Sequence, residues 1–150
     1  MALQYELVKR PVRRVSPKRG PSKRVSAKNT KKLRILVVED EVFVAHNICT
    51  VLESGGHEIV GMAATAHAAV KQAETFRPDL VMMDIRLIGD ADGIDAALEI
   101  RRRFGIRCIF LTAFVDKEVR ARAAEADPVD FLSKPFTPSA LLSAVRKTQP

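Results

Sequence analysis

Residues Leu33-Arg34-Ile35-Leu36-Val37-Val38-Glu39-Asp40-Glu41 decide the fold. The first six form a short apolar run of strand length, rich in β-branched side chains. Three acids come directly after it. From Val42 to Glu53 the apolar residues Val44, Ile48, Val51 and Leu52 recur at helical spacing, and Ser54-Gly55-Gly56 ends the pattern. A strand, an acidic turn and a helix within some twenty residues are the opening of a β–α unit.

The remainder repeats this alternation. Strands are expected near 57–62, 79–84, 106–111 and 129–132, and helices near 65–76, 92–104, 115–126 and 138–147. Thr137-Pro138 predicts the start of the last helix, a hydroxyl N-cap followed by proline at the first helical position. Asp92 and Thr65 are candidate caps for two others. Alternating strands and helices joined by right-handed crossovers give an α/β, doubly wound parallel sheet with helices on both faces, a three-layer sandwich. The runs Leu80-Val81-Met82-Met83 and Ile109-Phe110-Leu111 are apolar without alternation, as in strands covered on both sides.

Chemistry in such sheets sits at the carboxyl ends of the strands. The first strand ends in Glu39-Asp40, the third in Asp84 and the fourth in Thr112; Ser133-Lys134-Pro135 comes after the fifth. The second ends in the unreactive Gly61-Met62-Ala63. Each of these residues has an ordinary reading taken singly, because acids at strand ends often cap helices. Together they put three carboxylates, a hydroxyl and an ammonium at one edge. Crowded carboxylates repel unless a cation lies between them, and Mg²⁺ takes oxygen ligands of this kind while leaving places for water and a phosphoryl oxygen. In that setting Asp84 has the character of a nucleophile, with Lys134 and Thr112 as partners for phosphoryl oxygens.

Charge is distributed unevenly. Residues 1–32 carry eleven Lys and Arg against one acid, Glu6, whereas residues 33–150 carry fourteen against seventeen. The basic balance therefore belongs to a tail, and the domain is mildly acidic. The tail's mixture of basic residues, Ser, Pro and Gly predicts disorder. Its expected reading is a solvated leader; a polybasic arm for nucleic acid or an anionic membrane and an organelle transit peptide are the alternatives. No apolar run reaches the roughly 18–20 residues of a membrane span, and the N-terminus lacks the apolar segment of a secretory signal. Cys49 and Cys108 each lie within an apolar stretch and read as buried free thiols of a reducing, cytoplasmic protein. His46, His57 and His67 share no metal-ligand spacing with them and read as surface or core-edge residues. The seven glycines form neither a Walker A loop nor GxGxxG.

The motifs ILVVEDE at 35–41, LVMMDIRL at 80–87, DG at 92–93, LTA at 111–113 and FLSKPF at 131–136, in this order, resemble the receiver domain of bacterial two-component response regulators. The resemblance covers about 33–147. It implies a flavodoxin-like (βα)5 fold with strand order 2-1-3-4-5. It also implies that Asp84 accepts a phosphoryl group from phosphohistidine, and that Glu39, Asp40, Asp84 and the backbone carbonyl of Arg86 hold Mg²⁺. Thr112 and Lys134 match the groups that bind the acyl phosphate, and Phe131 matches the aromatic switch. The Lys134–Pro135 bond matches one that is typically cis. Departures are Glu39 in place of the more frequent Asp, the lack of a common proline after Asp84, and DG one residue late. Arg86 and Phe114 stand where side chains tune dephosphorylation.

By the same resemblance the partner upstream is a sensor histidine kinase or histidine phosphotransfer protein. The sixteen residues after Lys134 hold only the last helix, so the expectation is a receiver without an effector domain. It would signal by contact through the face of the fourth helix, fifth strand and fifth helix, around Phe114, Val115 and Phe131. It is expected to catalyse only its own phosphorylation and dephosphorylation. A phosphate sink, a relay intermediate and homodimerisation stay open, and nucleic acid is not an expected partner of the domain itself. Haloacid-dehalogenase-type phosphatases share the strand-end Asp, the hydroxyl, the Lys and Mg²⁺. They require a second Asp where this chain has Arg86 and acids after the lysine, where residues 135–150 have none.

Overall fold

The computed structural model describes residues 30–149. All but the last three residues of the basic segment 1–32 lie outside that range, and the expectation of disorder there lies outside with them. The elements run β1 (Arg34–Val38), α1 (Val42–Ser54), β2 (Glu58–Ala63), α2 (Ala66–Phe76), β3 (Leu80–Asp84), α3 (Gly93–Phe104), β4 (Cys108–Thr112), α4 (Lys117–Ala124), β5 (Asp130–Ser133) and α5 (Pro138–Arg146). The five strands are all parallel, in the order β2-β1-β3-β4-β5. This is the doubly wound α/β sandwich expected from the sequence.

The central strands are apolar throughout because both faces are covered. One core packs Leu36, Val38, Val81, Met83 and Phe110 against α2, α3 and α4 residues such as Val70, Ile94, Ile100 and Ala123. The other packs Ile35, Val37, Met82, Ile109 and Leu111 against Ile48, Leu52, Leu141 and Val145 of α1 and α5. Adjacent residues of a strand thus feed opposite layers, the period of two that a strand imposes. Cys49 and Cys108 are free and buried, and burial pushes the Cys108 thiol up to about 12.

Four of the five helices start at a side-chain cap, and α1, which follows Glu41, does not. Thr65 Oγ1 accepts from Ala68 N, Asp92 Oδ1 from Ile94 N and Asp95 N, and Thr137 Oγ1 from Ala140 N. In α4 the cap is Asp116, whose Oδ1 accepts from Val119 N at 2.9 Å. This helix begins two residues later than the apolar pattern predicts, which leaves Val115 with Phe114 in the β4–α4 loop. Arg101, Arg102 and Arg103 close α3 as charge favourable to a helix C-terminus. Arg101 also pairs with Asp127, and Arg103 with Glu74 and Glu99. His46 and His67 are exposed; His57 is buried at the core edge and accepts a hydrogen bond from Leu33 N at 3.2 Å.

Candidate functional site

Strand register puts the reactive side chains together. In the parallel ladder Val38 pairs with Met83, Asp84 with Leu111 and Thr112 with Ser133. Glu39, Asp84, Thr112 and Lys134 therefore leave four strands at nearly one level. Glu39, Asp84 and Thr112 are buried, whereas Asp40 and Lys134 are half-buried at the mouth. A cavity of about 280 Å³ opens here, lined by Asp40, Asp84, Arg86, Thr112, Ala113 and Lys134 among others.

Carboxylate oxygens of Glu39, Asp40 and Asp84 lie within 4.8 Å of one another. Their repulsion is offset by Lys134, whose Nζ is 2.7 Å from Glu39 Oε2 and 3.2 Å from Asp84 Oδ2. Burial alone would lower the pKa of this ammonium. The hydrogen bond to Glu39 and the charges of Asp84 and Glu39 outweigh burial and hold it above the ordinary lysine value. The free lone pairs are oriented by backbone: Glu41 N donates to Glu39 Oε1 at 3.1 Å, and Arg86 N to Asp84 Oδ1 at 3.1 Å. Thr112 Oγ1 is buried without a hydrogen-bond partner among the described residues. A buried hydroxyl left in that state is costly, and it suits a site whose missing acceptor is a ligand oxygen. Three hard oxygen donors, one of them half-exposed, fit a small divalent cation that keeps part of its water shell.

The approach of α3 to the site depends on Gly93. A Cβ at that position would lie 1.8 Å from the carbonyl oxygen of Asp84, and Gly93 N donates to Ile85 O at 2.8 Å. The Lys134–Pro135 bond is cis, as expected. Phe131 is half-buried, with its ring stacked on Phe110 at 5.5 Å and the Arg120 guanidinium 4.5 Å from its centroid.

Two features were not found from sequence. The first is a largely apolar groove of about 490 Å³ beside the site, lined by Phe43, Val44, Asn47, Lys134, Pro135 and Phe136. Phe43 is 91% exposed, and Val42, Ile88 and Phe114 also stand out in solvent around the same edge. Val42 and Phe43 fall off the apolar stripe of α1, and that was the available signal. The second is Arg122 of α4, which pairs with Asp92 and Asp95 at the start of α3. Thirty residues separate Arg122 from Asp92, so no local pattern reveals the pair.

These features place the chain in the class of doubly wound α/β domains that carry an acid cluster, a hydroxyl and a lysine at the carboxyl edge of an open parallel sheet. Residues 35–146 match the family model of the response regulator receiver domain, and the chain belongs to that family. It is 39% identical over 112 residues to the transcriptional regulatory protein PdtaR of Mycobacterium tuberculosis, covering 75% of this chain and 54% of that one. It is 31% identical over 115 residues to the chemotaxis protein CheY of Thermotoga maritima, covering 76% and 95%. The signal receiver domain of a modulated diguanylate cyclase from Desulfovibrio desulfuricans superposes with a TM-score of 0.74 at 30% identity, covering 79% and 94%. The chain spans about half the length of PdtaR and less of the phyllosphere-induced regulator PhyR, but nearly all of CheY. Among the described residues no helix is long and apolar enough to cross a membrane.

Proposed function

We propose that this protein is a phosphoacceptor response regulator of the cytoplasm. Asp84 takes a phosphoryl group from a phosphohistidine of a sensor kinase or phosphotransfer protein. The observation that carries this reading is Lys134 bridging Glu39 and Asp84 within a cluster of three carboxylates, beside the orphaned Thr112 hydroxyl.

The roles come from the chemistry of these groups. Glu39, Asp40, Asp84 and the Arg86 carbonyl would hold Mg²⁺, which when bound neutralises charge on the phosphoryl oxygens. An Asp84 carboxylate oxygen forms the new P–O bond as the P–N bond to the donor imidazole breaks, the electron pair returning to that nitrogen. Arg86 N–H keeps Asp84 Oδ1 oriented for the attack. Phosphorylation replaces a carboxylate by a larger dianionic group, toward which Lys134 turns. Thr112 donates its unused hydroxyl hydrogen to another phosphoryl oxygen. Such a move of Thr112 would open space for Phe131, and the change would be read by a protein partner on the face of α4, β5 and α5, near the exposed Phe114. The donor protein would dock on the apolar groove of Phe43 and Phe136, which opens beside the mouth of the site. On this reading the chain catalyses only its own phosphorylation and dephosphorylation.

The test is intact-mass spectrometry after incubation with Mg²⁺ and acetyl phosphate or phosphoramidate. One added phosphoryl group is expected, absent from Asp84→Ala and from a Mg²⁺-free sample. No adduct, together with no binding of beryllofluoride, would overturn the reading.

A further inference from the structure

Asp84 ends β3, the loop that follows it carries Arg86, and the far end of that loop is Asp92, the N-cap of α3. Asp92 makes two sets of bonds. Its Oδ1 accepts from Ile94 N and Asp95 N, both at 2.9 Å, and its carboxylate meets the Arg122 guanidinium through two nitrogens, at 2.7 and 3.2 Å. Arg122 also pairs with Asp95, whose own carboxylate accepts from Asp92 N at 3.0 Å. One guanidinium from α4 thus engages both carboxylates of the capping box of α3. A bidentate pair within a network is the geometry in which a half-exposed ion pair retains value. Asp92 is half-buried; burial pushes its pKa up, and the Arg122 bond with the cap bonds overcomes this and holds it below the ordinary range.

The residue after the cap is Gly93, the point where α3 touches the backbone of Asp84. Its N–H bonds to Ile85 O, and no room for a Cβ remains against the Asp84 carbonyl. The path from Arg122 to the site is therefore short and continuous: guanidinium, cap carboxylate, Gly93 backbone, then the Ile85 peptide beside Asp84.

We infer that Arg122 is a positioning residue for the Asp84 loop: by clamping Asp92 it sets how α3 seats on the Asp84–Ile85 backbone, and so links the placement of α4 to the phosphoacceptor site. The catalytic part of this inference rests on the reading of Asp84 given above; the clamp itself does not. Because coupling is reciprocal, a partner that pulls on α4 would alter the loop, and occupation of the site would alter the hold on α4.

Amide hydrogen exchange of the whole chain, followed by NMR, tests the clamp without any phosphodonor. Arg122→Gln is expected to speed exchange at Gly93 roughly fivefold, the scale of one well-placed ion pair, with core amides of β1 and β3 unchanged. Asp92→Asn keeps the cap but loses the ion pair. In that background Arg122→Gln should add less at Gly93 than it does in the parent, because only the pair with Asp95 is left to lose, and Arg122→Lys should recover part of the loss in the parent. In a Mg²⁺ titration followed at the Arg86 amide, Arg122→Gln should raise the apparent Kd about threefold. That is weaker than the 10–100-fold of residues that directly hold a ligand, because Arg122 lies further out. Unchanged Gly93 exchange, or fully additive effects of the two substitutions, would overturn the clamp. Faster exchange with an unchanged Kd would overturn the link to the site. Absence of Mg²⁺ binding in the parent protein would count against the phosphoacceptor reading, with exchange still deciding the clamp.

Discussion

Lys134 Nζ lies 2.7 Å from Glu39 Oε2, closer than its 3.2 Å from Asp84, and the Glu39 side chain has no solvent exposure. Lys134 is therefore the counter-charge of a buried acid first and a neighbour of the proposed acceptor second. Lys134→Ala leaves three carboxylates facing one another. Breaking a fully buried pair costs about 3–5 kcal/mol, and the partial exposure of Lys134 brings the expected loss to roughly 2 kcal/mol. Mg²⁺ should recover more stability in this variant than in the parent, because the cation replaces the lost charge. Urea unfolding with and without Mg²⁺ measures both, and an equal Mg²⁺ effect in the two proteins would disprove the compensation.

Asp84→Asn should behave in the opposite way. Asparagine keeps an acceptor for Arg86 N–H and removes one of three mutually repelling charges. Without divalent ions the variant is expected to unfold no lower than the parent. Mg²⁺ at ten times its Kd stabilises by about 1.4 kcal/mol, some 4 °C in a domain of this size. The variant should lose most of that gain. Thermal scans in chelator and in Mg²⁺ check it; a drop in chelator alone would show that the Asp84 charge is structurally needed.

The placement of the acids was legible because β1 and β3 are central strands. Their unbroken apolar runs end at Val38 and Met83, and the ladder pairs those two residues, so Glu39 and Asp84, each the next residue along, must meet. Caps at Thr65, Asp92 and Thr137 were legible because a side-chain oxygen three residues before an N–H is a local matter. The ion pair of Arg122 and the Arg120 cover on Phe131 were not, since both join residues brought near only by the packing of α4. The late start of α4 was missed because Asp116 competes as a cap with the apolar pattern that begins at Val115. The register shift between Ile35 and Leu36 in the pairing of β1 with β2 was missed as well, although Gly61, a glycine inside a strand and the partner of Leu36, is a signal for it.

His57 gives the domain a pH dependence of known sign. Burial lowers its pKa, and its Nδ1 must be unprotonated to accept from Leu33 N at the start of β1. The unfolded chain takes up a proton near the ordinary value of about 6.5, whereas the folded form resists until lower pH. Stability is thus full above about 6.5. It falls by up to roughly 1.4 kcal/mol per unit as pH drops, until the lowered folded value is passed. His57→Gln keeps an acceptor and cannot titrate, so its unfolding free energy should be flatter between about pH 7.5 and 5.5. An identical slope in both proteins would assign the loss to another group.

Gly93→Ala sets two effects against each other. Alanine is a better helix former than glycine by up to about 1 kcal/mol, an advantage smaller still at the first helical position. The added Cβ, however, would meet Asp84 O at 1.8 Å, Asp84 C at 2.8 Å and Ile85 Cα at 3.0 Å. All three are backbone atoms of the strand end, so no rotamer change relieves the overlap, and either α3 or the Asp84 peptide must move. Overpacking of this kind costs typically 1–3 kcal/mol, and against the small propensity gain the expected net loss is about 2 kcal/mol. The displacement should also fall on Asp84 itself. The initial rate of adduct formation with acetyl phosphate is expected to drop several-fold in a protein that still unfolds cooperatively. Urea unfolding and a mass-spectrometric time course on the same sample separate the two. A stable variant with the parent's rate would show that the sheet edge yields more easily than its packing implies.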